Sequence, residues 1–343
     1  MNNTRIGIDL AKNVFHMIAL GPEGKVIKRR KFSRPQLALH VSQLEPTHIA
    51  MEACGSAHHW ARRFREYGHE VTLLPPQHVK GYLRGQKNDY NDALAIAEAL
   101  SHSAIRGVPI KSIAQQDNQA LHRIRQLRIK ELRSLGNQLR GLLSEYGIVL
   151  PQGKHTLRTQ LPLLLEDAGN GLTPGFRALL HREYRRFVFL EEELTWFDQQ
   201  LLNQSKEDAV CKRLKALPGF GPVVSSAVMG WLGSGHQFRH GRDASAALGL
   251  VPRQVTSGDK IRLSGITKRG DTYTRSLVVH GARAVVRRAH KKDDALSRWI
   301  NRLVETRGYN KATVALANKL IRMAWVLVAR GEEYTPAPTA QAA

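Results

Sequence analysis

The feature that most constrains the fold is the order of short apolar runs in the first 110 residues. Residues 5–9, 14–20 and 25–32 each read as a strand, and Gly21-Pro-Glu-Gly24 between the last two is hairpin-turn chemistry. Residues 35–44 have helical spacing, with Pro35 suited to a first helical turn. Residues 48–52 read as a fourth strand, 57–67 as a helix, 70–74 as a fifth strand closed by Pro75-Pro76, and 90–103 as an Ala/Leu-rich helix. The order is β-β-β-α-β-α-β-α. Three hairpin-linked strands followed by αβ crossovers imply a mixed sheet flanked by helices.

Beyond this region the pattern becomes helical. Leu132, Leu135, Leu139, Leu142 and Tyr146 step by heptad spacing within a long helix over residues 115–146. Phe187, Leu190, Leu194, Phe197 and Leu201 do the same within a second helix over 175–205. Pro151, Pro162 and Pro174, with several glycines, mark the stretch between them as a connection. Two such helices suggest an antiparallel coiled-coil arm of the kind that makes dimers; an internal helical hairpin within one chain is the alternative. From Ala209 onward short helices alternate with loops, and residues 251–274 read as loops or a hairpin. The class is α/β plus α. The expected regions are 1–110, 111–208 and 209–334, followed by a Pro/Ala-rich tail, 335–343, without fixed structure.

Charge narrows the partners. The 343 residues carry 52 Lys+Arg against 29 Asp+Glu, a net +23, and 42% are hydrophobic. Sizeable cores can form, so wholesale disorder is excluded. Two cysteines cannot build a disulfide framework or a Cys-rich zinc site. No segment reads as a membrane span or a signal core, so the expected location is the cytoplasm. A chain this basic calls for a polyanionic partner.

Within this excess of cations four acids stand out. Asp9 ends the first strand and Glu52 the fourth, and a carboxylate ending an apolar strand costs desolvation unless it is paired or holds a cation. Asp89 and Asp92 open the third helix, with i, i+3 spacing on one face. Alone, that pair could be helix capping by Asn88 or Asp89 and a first-turn acid. Together, the four can converge on divalent cations, Mg²⁺ or Mn²⁺, and serve phosphodiester chemistry.

The last region holds the cations and a serine. Leu217-Pro-Gly-Phe-Gly221 is similar to the hairpin of helix-hairpin-helix DNA binders, where the amides of Gly219 and Gly221 would meet a phosphate; a plain glycine C-cap is the other reading. Residues 239–292 carry 13 Lys+Arg against 3 Asp. Ser257-Gly258 sits among Arg253, Lys260, Arg262, Lys268, Arg269 and Arg275. A hydroxyl is a weak nucleophile unless activated, and a loop serine is ordinarily a hydrogen-bonding turn residue.

GIDLAK (7–12), MEACG (51–55), KNDYNDA (87–93), LPGFG (217–221), GLVPR (249–253), TSG (256–258) and ITKRGD (266–271), in this order and at these distances, resemble one family. It is that of the DEDD-type transposases of IS110 insertion sequences, with the IS1111 branch and the Piv-type invertases, and the resemblance covers about residues 4–330. It implies a RuvC-like, RNase H-fold first domain, a coiled-coil region and a C-terminal transposase domain. It implies metal binding by Asp9, Glu52, Asp89 and Asp92, and a nucleophilic role for Ser257. Further implications are a composite site with acids and serine from different protomers, a homodimer assembling into a tetramer, and a structured bridge RNA guiding donor and target DNA. Two rival functions are a RuvC-type Holliday-junction nuclease in which water attacks, and a non-enzymatic nucleic-acid-binding protein.

Overall fold

Strand β1 (Arg5–Leu10) lies at the centre of a five-stranded sheet. It pairs antiparallel with β2 (Val14–Leu20) and parallel with β4 (His48–Glu52). Strand β3 (Val26–Ser33) adds antiparallel outside β2, and β5 (Glu70–Leu74) adds parallel outside β4, giving the order β3-β2-β1-β4-β5. The computed structural model describes residues 4–86, 88–102, 105–257 and 260–336. Its contacts divide the chain into two units, Met1–Ser112 and Ile113–Ala343.

In the first unit the alternation of the strands assigns the two faces of the sheet. Ile6 and Ile8 of β1, with Phe15, Met17, Ile49 and Met51, pack against α1 (Arg34–Ser42) and α2 (Ala57–Glu66) through Leu37, Val41, Trp60 and Phe64. The opposite face is covered by α4 (Asp89–Leu100), whose Ala93 and Ala97 meet Ile18 and Leu20 and whose Ala95, Ile96 and Ala99 meet Ala50 and Leu74. Before it, α3 (Pro76–Val79) and a 3-10 turn continue from the Pro75-Pro76 stop.

Gly7 sets how closely α4 approaches. A Cβ there would run into the carbonyl oxygen of Ala93 and the amide and Cβ of Ala97. Replacing Gly7 with Ala is expected to destabilise the first unit by about 3 kcal/mol, because backbone cannot repack as a side chain does. Chemical denaturation of the variant checks this; an unchanged midpoint would mean that α4 can lift freely.

The second unit opens with α5 (Ile113–Ser144) and α7 (Pro174–Glu207), which run antiparallel. Arg125 pairs with Asp198 at 2.7 Å and Arg128 with Glu193 at 3.4 Å, so rising numbers on one helix meet falling numbers on the other. Their apolar faces cover one another within the chain, through Leu132, Leu135, Leu139, Leu143, Phe187 and Leu190. The heptad step slips in the last turn of α5, where Leu143 is buried and Leu142 is 39% exposed.

The expected irregular connection between these helices contains a further helix, α6 (Lys154–Glu166), with Pro162 inside it. Leu157 and Leu161 bury its inner face. Pro162 has no amide to offer the carbonyl of Arg158, one turn back. The hydroxyl of Tyr184 donates to that carbonyl instead, at 3.0 Å. A tertiary hydrogen bond thus supports a helix whose proline reads as a breaker.

The remaining helices are α8 (Ala209–Lys215), α9 (Pro222–Leu232), α10 (Gly241–Ala247), α11 (Thr272–Ala289), α12 (Ala295–Arg307) and α13 (Tyr309–Ala329). They enclose one core around Leu214, Leu232, Val278, Ile300, Leu316 and Leu320. Among the described residues α13 is the one helix long and apolar enough to cross a membrane, and half of its apolar window is buried in this core. A polar network ties α5 to α9 and α11. Ser226 donates to Asn118 (2.8 Å), while His122 meets the hydroxyls of Ser226 and Tyr273, each at 3.0 Å. Burial first, and then Arg125, push His122 down to about 4, so its ring is neutral. The expected tail lies outside the described residues from 337 onward.

Candidate metal centre and nucleic-acid interface

The topology brings the acids together at one sheet edge. Strands β1 and β4 are parallel neighbours with Ile8 opposite Met51, so Asp9 and Glu52 follow one step later at the same ends. Asp9 shares a face with Gly7, and Glu52 with Ala50, which is the face α4 covers. Asn88 caps α4, its side chain accepting from the amide of Tyr90, so neither Asp89 nor Asp92 performs that task.

The electrostatics reflect the crowding. Asp9 is pushed up from 3.8 to about 6, first by burial and then by Asp92, Asp89 and Glu52 in turn. Glu52 is raised by burial and then by Asp92. Asp9 and Glu52, raised by burial and by neighbouring acids, form with Asp89 and Asp92 a donor set of hard oxygens suited to Mg²⁺ or Mn²⁺.

This cluster gives a pH signature. Without metal, folded Asp9 binds its proton near 6 and the unfolded chain near 3.8, so the folded state carries the extra proton in between. Its contribution to stability is therefore lost as pH rises from about 4 to about 6, on the order of 1 kcal/mol once solvent screening of a half-buried group is allowed for. Divalent cations are expected to remove this loss. The difference in melting temperature between the wild type and Asp9→Asn, followed with pH in chelator and in Mg²⁺, measures it; a difference that stays flat in chelator contradicts it.

One residue of this edge escaped the sequence reading. His16 lies opposite Asp9 in the antiparallel register, on the α4-facing side of β2. It is buried, its Nδ1 stands 3.4 Å from Oδ2 of Asp89, and its ring meets Tyr90 edge-on at 4.7 Å. The signal was present as a polar residue inside the apolar run VFHMIAL.

The second unit presents the serine on an exposed hairpin. Strands β6 (Pro252–Ser257) and β7 (Lys260–Ile266) are antiparallel, with Ser257 opposite Lys260 at the turn; Gly258 lies outside the described residues. Every residue of β6 is exposed. Arg253, Lys260, Arg262, Lys268 and Arg269 are exposed as well. The base of the hairpin is fixed by backbone. Lys268 donates its amide to Gly249 (3.2 Å) and Thr267 to Val251 (2.9 Å), while Gly249 and Gly270 press against the carbonyls of Arg269 and Ala247. GLVPR and ITKRGD are thus two halves of one interlock.

Two expected nucleic-acid contacts are placed differently. Arg275 is turned inward and 8% exposed, its guanidinium donating to the carbonyls of Leu248 (3.1 Å) and Arg269 (2.7 Å) and to Thr272 Oγ1 (3.1 Å). It braces the interlock and is not on the basic surface. Gly219, with φ of +79°, packs against the backbone of Gly281 in α11, so close packing and turn geometry account for that glycine. Gly221 is exposed at the N-cap of α9. A groove of about 1540 Å³ beside the hairpin is lined by Arg242, Lys311, Lys319, Arg322 and Arg330, with no carboxylate among its described lining residues. Lys319 stands over the Trp299 ring there, at 4.9 Å.

A carboxylate cluster in one unit and an exposed basic surface in the other are the parts of an enzyme that acts on nucleic acid. The chain belongs to the IS110 family of transposases, which act on DNA. The DEDD-type IS110 transposase family model matches residues 6–148, and that of the transposase IS116/IS110/IS902 family matches residues 211–298. The chain is 42% identical over 329 residues to the transposase for insertion sequence element IS1111A of Coxiella burnetii, covering 96% of this chain and 90% of that one. It is 36% identical over 334 residues to the transposase for insertion sequence element IS1328 of Yersinia enterocolitica, covering 97% and 99%.

Proposed function

We propose that this transposase is a bridge-RNA-guided DNA recombinase of the cytoplasm and nucleoid that cuts and rejoins strands through a serine–DNA covalent intermediate. The observation that carries the reading is the convergence of Asp9, Glu52, Asp89 and Asp92 on one edge of a mixed sheet, in the family's DEDD order. On this reading the first unit is an RNase H-like, RuvC-like domain, with which its five-stranded mixed sheet is compatible. Those four carboxylates would hold Mg²⁺ or Mn²⁺, which supplies Lewis-acid polarisation of a phosphodiester and stabilises a departing oxygen.

Ser257 is the nucleophile in this reading. Its Oγ forms a new bond to phosphorus as the scissile P–O bond breaks, and the proton that Oγ loses balances the one the sugar oxygen gains. Lys260, beside it in the register, and the exposed Arg253 and Arg262 stabilise the negative charge of the phosphate. Lys268, Arg269 and the amide of Gly221 hold the backbone of the nucleic acid. The number of cations exceeds what one duplex requires, which fits donor DNA, target DNA and a guide RNA together. A homodimer, assembling further into a tetramer, brings acids and serine from different protomers. Exposed Phe189 and Trp196, seven residues apart on α7, offer apolar surface for that contact and for a coiled-coil arm.

A suicide DNA substrate, incubated with the protein, its element's noncoding RNA and Mg²⁺, tests the reading. A covalent protein–DNA band that requires all three is the expected result. Free cleaved ends without an adduct would favour the RuvC-type nuclease instead.

A further inference from the structure

A buried imidazole faces the acid cluster with one nitrogen unused. The Nδ1 atom of His16 is shielded from solvent and makes no hydrogen bond among the described residues, although Oδ2 of Asp89 is 3.4 Å away. The His16 side chain is 9% exposed. A buried ring nitrogen without a partner is costly unless something else occupies its lone pair. Donor atoms from Asp9, His16 and Asp89 lie within 4.8 Å of one another. Ligands of one octahedral cation at about 2.1 Å stand roughly 3 to 4 Å apart, so small side-chain movements would bring all three onto a common ion.

We propose that His16 is a metal ligand, and that Asp9, His16 and Asp89 form a mixed nitrogen–oxygen site that prefers a first-row transition ion to Mg²⁺. The proposal rests on the reading of the acids as a metal centre. Three features give the site its character. His16 is held by the β1–β2 register opposite Asp9, so the pairing of the strands itself delivers the nitrogen. The edge-on contact with Tyr90 fixes the ring plane. Asp89 is at the start of α4, whose approach is set by backbone contact at Gly7. Glu52 and Asp92 complete the cluster with oxygen alone, so its two ends differ. An ion held at the His16 end binds a nitrogen that Mg²⁺ does not seek and Mn²⁺ accepts.

Electron spin-echo spectroscopy of Mn²⁺ bound to the full-length protein reads this directly, since a coordinated imidazole imposes ¹⁴N modulation. The wild type is expected to show that modulation, and His16→Gln to lose it. Titration should show Mn²⁺ affinity falling about tenfold or more in His16→Gln, with Mg²⁺ affinity changed less than about threefold, because the amide oxygen replaces nitrogen with a hard donor. Wild-type Mn²⁺ without ¹⁴N modulation, but displaced by Asp9→Asn, would overturn the assignment while leaving the metal centre in place. Mn²⁺ binding untouched by Asp9→Asn would overturn the metal reading, and this assignment with it. The wild-type spectrum does not depend on the variant's fold, and thermal melting of His16→Gln shows whether its affinities belong to a folded protein.

Discussion

Ser257→Ala is expected to leave no covalent protein–DNA product on a suicide substrate, a loss of about 10³-fold or more in strand joining. DNA affinity should change by less than about twofold. The reasoning is local. Ser257 closes an exposed strand, and its backbone pairing with Lys260 does not depend on the hydroxyl. Alanine fits the same backbone, and an exposed substitution of this kind costs within about 0.5 kcal/mol. Loss of product with binding retained therefore isolates the oxygen atom as the missing part. A variant that still forms the adduct would remove Ser257 from the mechanism, and one that still cleaves without an adduct would give attack to water.

Asp9→Asn should have an effect of similar size by a different route. Cleavage and adduct formation are expected to fall about 10³-fold or more, because the carboxylate central to the cluster is gone. The metal-free fold should become more stable, since burial first, and then Asp92, Asp89 and Glu52, disfavour the charged form of Asp9. Stabilisation by added Mg²⁺ should vanish. Loss of function with gain of stability separates a functional acid from a structural one. If the acids merely supported the fold, as in a non-enzymatic binding protein, the variant would melt lower and there would be no activity to lose.

Much of the first unit was legible because its strands are short, apolar and separated by turn residues with specific backbone needs. Asp9 and Glu52 could be placed at strand ends from the sequence, since a polar residue closing an apolar run is visible without coordinates. His16 was not visible as a partner, because its role depends on an antiparallel register that pairs it with Asp9. Arg275 misled for the complementary reason. A count of charges has no direction, and this guanidinium turns inward to three oxygens. Helix α6 was obscured by Pro162, whose cost is offset by Tyr184, distant in sequence. Gly219 looked like phosphate-binding chemistry because its closest neighbour, Gly281, is 62 positions along the chain and bears no motif.

The hairpin formed by β6 and β7 carries a consequence for timing. Among the described residues no second layer covers β6, and a lone two-stranded ribbon is marginally stable in water. If Ser257 is the nucleophile, its position is then set by whatever lies across the hairpin. Nucleic acid that fits the basic surface would order the serine as it arrives, and an idle transposase would carry its reactive group without a fixed address. Restraint of this sort would protect a host chromosome, because the capacity to cut would then be assembled only on the molecule to be cut.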